Sequence, residues 1–150
     1  MKIVVDTNIV FSSILNTQSI IGDLILNSNN TFQFWSCHFL LEEMDKNWSK
    51  LRKISNLTDK DLLDVQRIIY KNITFIDEFQ IPNHHRVKAY KLVKGIDIND
   101  LVFVALNEYR KSILWSGDKV LVRGLRRLGY DKIITTDEMV NLRKQLEKSD

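Results

Sequence analysis

The stretch Met1-Lys2-Ile3-Val4-Val5-Asp6-Thr7-Asn8-Ile9-Val10-Phe11 decides how this chain folds. Ile3, Val4 and Val5 form a short β-branched apolar run, the pattern of a strand buried on both faces in a parallel sheet. Asp6 stands where that strand must stop. Ile9-Val10-Phe11 and then Ile14-Leu15 take helical spacing, which predicts Asp6 in a strand-to-helix turn at the carboxyl end of a central strand. Open α/β sheets bind ligands along that edge. A carboxylate ending a buried strand is costly without a partner, so the first strand is expected to deliver an acid to a site.

The 150 residues are expected to fold as one domain, 1–150, long enough to bury a core. An apolar fraction of 44%, one proline and five glycines argue against disorder. The lone Cys37 cannot form an internal disulfide, no signal-peptide pattern is visible, and charges interrupt every apolar stretch short of a membrane span. A cytoplasmic protein is expected. The formal charge is +3. Setting aside Asp6, Glu43, Asp97, Asp100 and Asp118 leaves 22 bases against 14 acids, a shell of +8. A basic shell around an acidic pocket suits a polyanion, although +3 also serves simple solubility.

Farther along, Ile20, Ile21, Leu24, Ile25 and Leu26 continue a helical pattern that fades in Asn27–Asn30. A strand follows from Thr31 or Phe32 to Trp35. Ser36 is expected to cap a helix with the buried stripe Leu40, Met44, Trp48 and Leu51, and Glu43 lies at the edge of that stripe. Thr58 opens another helix with Leu62, Val65, Ile68 and Ile69 inward. Ile73–Ile76 reads as a strand and Asp77–Pro82 as a loop. Asn83–Val93 reads as a helix with Val87, Tyr90, Leu92 and Val93 inward, ended by Gly95. Asp97 to Asp100 opens a helix reaching about Arg110. Strand Ile113–Trp115, the turn Ser116-Gly117-Asp118, a helix with Val120, Leu121, Leu125 and Leu128 closed by Gly129, and strand Lys132–Thr135 come next. Thr136 or Asp137 caps a last helix carrying Met139, Leu142 and Leu146. This alternation predicts a mostly parallel sheet with helices on both faces. The glycines are isolated, so a dinucleotide or P-loop fold is not expected.

Four places put a carboxylate where a strand ends or a helix begins: Asp6, Glu43, the pair Asp97 and Asp100, and Asp118. Each has a local alternative. Asp97, Asp100 and Asp118 suit helix N-termini, and Glu43 has an ordinary exposed neighbour in Glu42. Convergence separates the readings. Two carboxylates ~5 Å apart repel by roughly 3 kcal/mol at an effective dielectric of ~20, so a cluster is tolerable only around a cation. Oxygen donors without paired cysteines or histidines select Mg²⁺ or Mn²⁺. A water held by such an ion is a nucleophile near neutral pH, which is phosphodiester hydrolysis. His84 and His85 diverge on a helix and are expected at the surface. Trp35 and Trp115 are expected in the core. Lys119, Arg123, Arg126 and Arg127 read either as contacts to RNA phosphates or as a solvated helix face.

At these residues the sequence resembles the PIN-domain family, which includes the VapC-like toxin ribonucleases. The matching pieces are the apolar run into Asp6-Thr7-Asn8, the Ser36…Glu43-Met44 helix, Gly95-Ile96-Asp97-Ile98-Asn99-Asp100 leading into Phe103-Val104-Ala105-Leu106, and Leu114-Trp115-Ser116-Gly117-Asp118-Lys119. The resemblance implies an α/β three-layer α/β/α sandwich around a mostly parallel five-stranded sheet. It implies a Mg²⁺- or Mn²⁺-dependent endoribonuclease that leaves a 5′-phosphate and a 3′-hydroxyl. Position by position, it implies Asp6, Glu43, Asp100 and Asp118 as the catalytic, metal-holding acids and Asp97 as an accessory ligand. Glu42 is the rival to Glu43 if the helix register slips by one. Asn8 is implied to orient the acids. Ser116 stands where the family usually has threonine, and its hydroxyl can still donate to a carboxylate. Many members are toxins neutralised by a protein antitoxin in the acidic pocket, others are free-standing RNA-processing nucleases, and members often form homodimers. Two rivals stand beside this reading. One is an inactive PIN fold that binds RNA or protein, which the presence of all four acids disfavours. The other is a phospho-receiver or phosphatase domain with Asp6 as phosphoacceptor, which predicts a covalent aspartyl phosphate.

Overall fold

The structure is a computed structural model and describes residues 1–149. Its elements are β1 (Lys2–Val5), α1 (Thr7–Leu15), α2 (Ile20–Asn27), β2 (Gln33–Cys37), α3 (His38–Lys46), α4 (Trp48–Ser55), α5 (Asp59–Tyr70), β3 (Ile73–Ile76), α6 (Asn83–Val93), α7 (Leu101–Arg110), β4 (Ile113–Trp115), α8 (Lys119–Arg127), β5 (Ile133–Ile134) and α9 (Thr136–Lys148). The five strands form one sheet in the order β3-β2-β1-β4-β5, every pair parallel. The apolar opening run therefore occupies the centre, and Ile3, Val4 and Val5 are fully buried. Because all strands run one way, all their carboxyl ends share one edge.

Register assigns the two faces. Val4 pairs with Trp35 and Leu114, and α7 covers that side. Arg110 of α7 places its guanidinium 3.8 Å from the centroid of the Trp35 ring, so Trp35 is capped by a cation rather than sunk in the core. Val5 pairs with Trp115, whose ring points to the other face. There Trp115 Nε1 donates to Thr136 Oγ1 at the start of α9 (3.0 Å). Trp115 is fully buried, as expected.

Several local expectations change once neighbours are present. The helical pattern from Ile9 to Leu26 is two helices whose directions differ by 101°. Ser19 caps the second through Gly22 N–H, and a Cβ on Gly22 would meet the Thr17 carbonyl oxygen at 2.5 Å, so glycine lets the bend close. The Leu40-to-Leu51 stripe likewise breaks at Asn47 into α3 and α4. Ser36 does not cap α3: it lies inside β2 and donates to the Val5 carbonyl (3.0 Å). The last helix is capped by Thr135, in a capping box with Glu138, rather than by Thr136 or Asp137. Ile68, Val87, Tyr90, Val120 and Leu128, expected inward, are exposed. Val93, Leu121 and Leu125 are buried as expected, and Ala89 and Val122 complete the buried faces.

Candidate active site

Asp6 ends β1 and caps α1. Ile9 N–H donates to its Oδ1 (3.0 Å), and Ser116 Oγ donates to its Oδ2 (2.9 Å). Ser116 follows β4, the neighbour of β1, so sheet order alone brings residues 110 positions apart into contact. The same hydroxyl oxygen accepts Asp118 N–H (3.1 Å). Asp118 in turn caps α8, its Oδ1 accepting Val120 N–H (2.9 Å) and Leu121 N–H (3.2 Å). One serine thus ties two acids to one turn.

Glu43 reaches the same edge from α3. Thr7 Oγ1 donates to Glu43 Oε1 (2.5 Å), and Asn47 Nδ2 donates to the Glu43 carbonyl (2.8 Å). Glu42 is exposed and stands outside the cleft. Asp97 caps a short 3-10 turn (Ile98–Asp100), its Oδ1 accepting Asn99 N–H (3.0 Å). Asp100 sits at the capping position of α7 but makes no capping bond, and its Oδ2 is buried with no partner among the described residues. The helix-cap alternative therefore accounts for Asp97 and Asp118 in part and for Asp100 not at all. A capping acid takes an orphan N–H of the first turn, and Asp100 takes none.

All five acids line one cleft of about 210 Å³, together with Thr7, Asn8, Asn47, Asn99 and Phe103. Their fields are mutual. Burial pushes the Asp100 carboxyl up to about 7, reinforced by the charges of Asp6, Asp97, Asp118 and Glu43. Burial pushes Asp6 up to about 6, with Asp118 and Glu43 adding and the Ile9 and Ser116 hydrogen bonds opposing. Like charges in a low-dielectric cleft resist ionisation together.

Sequence reasoning missed Thr7 and Asn47. Thr7 was in view beside Asp6, but nothing local says that its hydroxyl meets a residue 36 positions away. Asn8 does line the cleft, yet among the described residues it makes no hydrogen bond to an acid. Thr7 and Ser116 donate to the acids, Ser116 as expected. The four bases of α8 also separate. Arg126 is committed to Glu138 (2.7 Å) and to the Ile133 carbonyl. Arg127 is exposed and lines neither this cleft nor its neighbour, whereas Lys119 and Arg123 line an adjoining cavity. His84 and His85 do not diverge as expected: their rings lie 4.0 Å apart between centroids, tilted by 39°, outside the cleft. Cys37 is buried, and burial pushes its thiol up to about 12, so it is no nucleophile.

Among the described residues no three His, Cys, Asp or Glu groups are gathered closely enough to hold an ion as they stand. Asp6, Glu43 and Asp118 each turn an oxygen to a hydroxyl or backbone donor. The donor set still fits a hard cation. It is all oxygen, it surrounds one cleft, and the unpartnered Asp100 Oδ2 is a buried acceptor that a cation would satisfy. Chemically, such a cleft can hold a divalent ion against an anionic substrate.

A family profile described as PIN domain matches residues 4–144. The fold is similar to that in the crystal structure of VapBC2 from Rickettsia felis bound to a DNA fragment from their promoter. That similarity has a TM-score of 0.66 at 14% identity over 90% of this chain and 97% of that one. At such identity the likeness speaks for the fold. No curated protein sequence matches at a significant level.

Proposed function

This chain belongs to the PIN domain family, whose members are typically nucleases, and from that premise we propose a divalent-metal-dependent endoribonuclease acting at the acidic cleft. The observation that carries the reading is the five-acid cleft with a buried, unpartnered carboxylate oxygen on Asp100. Asp6, Glu43, Asp100 and Asp118 would hold Mg²⁺ or Mn²⁺, with Asp97 at the rim. When bound, the ion would make a held water more acidic and neutralise charge on the scissile phosphate.

The chain's own residues do the rest. Ser116 fixes Asp6 and the Asp118 backbone in one geometry. Thr7 fixes the side chain of Glu43. Phe103 forms part of the cleft wall. The raised proton affinities of Asp6 and Asp100 let the cleft take up protons when no cation is present.

The test is cleavage of a mixed-sequence single-stranded RNA in Mn²⁺, in Mg²⁺ and in EDTA. Cutting is expected with either ion and none in EDTA. Glu43→Gln should slow it at least about a hundredfold, whereas Glu42→Gln should stay within about threefold, consistent with a removed electrostatic group against a surface change. Equal cutting in EDTA would sink the proposal.

The likeness to a VapBC fold also supports a toxin role, with a protein antitoxin neutralising the cleft. Expression is then expected to arrest growth, with relief on co-expression of the neighbouring gene's product. Unimpaired growth with active enzyme would leave a free-standing RNA-processing nuclease.

A further inference from the structure

A second cavity, of about 350 Å³, adjoins the acidic cleft on the other side of the Ser116-Gly117 turn. It is formed by that turn, by Lys119, Val122 and Arg123 of α8, and by Thr135, Thr136 and Asp137 where β5 passes into α9. Its size falls within the range of small-ligand sites. Ser116 lines this cavity and also donates to Asp6 of the cleft, so the two spaces are neighbours along the carboxyl edge.

Its chemistry is opposite to that of the cleft. Lys119 and Arg123 are one helical turn apart on α8, which places both on one face. Neither is in an ion pair among the described residues, unlike Arg126, which Glu138 holds. The two threonine hydroxyls each already accept a bond, Thr135 Oγ1 from Glu138 N–H and Thr136 Oγ1 from Trp115 Nε1. Their own hydrogens are therefore free to donate. Val122 offers an apolar wall, and Asp137 adds one exposed acceptor. Two cations, two hydroxyl donors, an apolar wall and one acceptor suit a nucleotide better than a bare anion, which has no use for the wall or the acceptor.

Resting on the ribonuclease reading, we propose that this cavity holds the nucleotide next to the scissile bond of a single-stranded RNA. Its phosphate lies toward Lys119 and Arg123 and its base toward Val122. The cleft itself repels the phosphodiester chain, and these two bases supply the compensating attraction at the adjacent position.

The test uses the full chain in EDTA, where no cutting interferes, and follows binding of a fluorescent mixed-sequence single-stranded RNA against salt. The double variant Lys119→Glu/Arg123→Glu is compared with Lys60→Glu/Lys144→Glu. The latter is a matched charge reversal at exposed positions of α5 and α9 outside both cavities. The first variant is expected to bind at least about tenfold more weakly. Its slope of log affinity against log salt should be shallower by roughly 0.7, the one phosphate that both bases face. The control should stay within about threefold. In Mn²⁺ the first variant should raise KM and leave kcat within about threefold, since the cavity binds rather than reacts. Unchanged binding, or equal weakening in both variants, overturns the proposal. If wild-type protein binds RNA as described but never cuts it with either ion, the hydrolase reading falls while the binding comparison still decides the cavity.

Discussion

Asp6→Asn is expected to cut RNA at least about a thousandfold more slowly than wild type, about 4 kcal/mol of lost transition-state stabilisation. Asp6 is the acid most tightly built into the sheet. Its two oxygens take the first turn of α1 and the Ser116 hydroxyl, and only 3% of the residue is exposed. Asparagine keeps the shape and one acceptor, so the cap from Ile9 survives. The Ser116 hydroxyl can rotate to accept the new amide, so the turn survives as well. What disappears is the charge. The same variant should therefore melt no lower than wild type, because a charge ending a buried strand is itself a cost. Loss of activity with retained or raised melting temperature separates a functional defect from misfolding. Activity within about tenfold of wild type would place the chemistry elsewhere.

Metal-free protein is expected to lose stability as pH rises from about 4 to about 7, and to regain it on adding Mn²⁺ at pH 7.5. The sign follows from where protons are held. Asp6 moves from 3.8 to about 6 and Asp100 from 3.8 to about 7 in the folded state. Between those values the folded chain keeps protons that the unfolded chain has released, so stability falls as pH rises. The contribution is full below about pH 4 and gone above about pH 7. For Asp6, which is wholly buried, the interval corresponds to on the order of 3 kcal/mol as an upper limit.

Other acids act in the opposite direction at lower pH. Asp23 is held below the usual carboxylate range by Asn27 and Arg143, and Glu138 by Arg126. Their contributions are present above the usual carboxylate range and are lost in more acid solution, which keeps the two windows apart. Thermal melts in EDTA from pH 4 to 8 read the first window. Asp100→Asn should flatten it, and Mn²⁺ should raise the wild-type melting temperature more at pH 7.5 than at pH 5. A flat profile in EDTA together with no Mn²⁺ effect would mean that the acids do not share one field.

Much of the architecture was legible because it is local. The spans Ile73–Ile76, Asn83–Val93 and Ile113–Trp115 are the ones that their apolar runs and flanking polar residues predict. The opening run is a central strand for the same reason: three consecutive β-branched residues have no solvent-tolerant face. Inward faces of helices were less legible. Val87 and Tyr90 of α6, and Val120 and Leu128 of α8, fit an apolar stripe as well as their neighbours do. Val93, Leu121 and Leu125 are buried as expected, but only packing added Ala89 and Val122 and left the others outside. The breaks at Asn16–Ser19 and at Asn47 were hidden because helical spacing continues across both.

For the site, the sequence by itself determined which acids stand at strand ends and helix starts, since a carboxylate after a buried strand has few uses. The tertiary structure decided the rest. It placed Glu43 in the cleft and Glu42 outside it. It brought the Thr7 hydroxyl to Glu43, a contact no local signal marks, and drew Arg126 away to Glu138. These outcomes depend on contacts between residues distant in the chain, and propensity, periodicity and capping rules are blind to them. The order β3-β2-β1-β4-β5 sets Ser116 beside Asp6, and hydrogen-bond reach of about 3 Å then selects which side chains join.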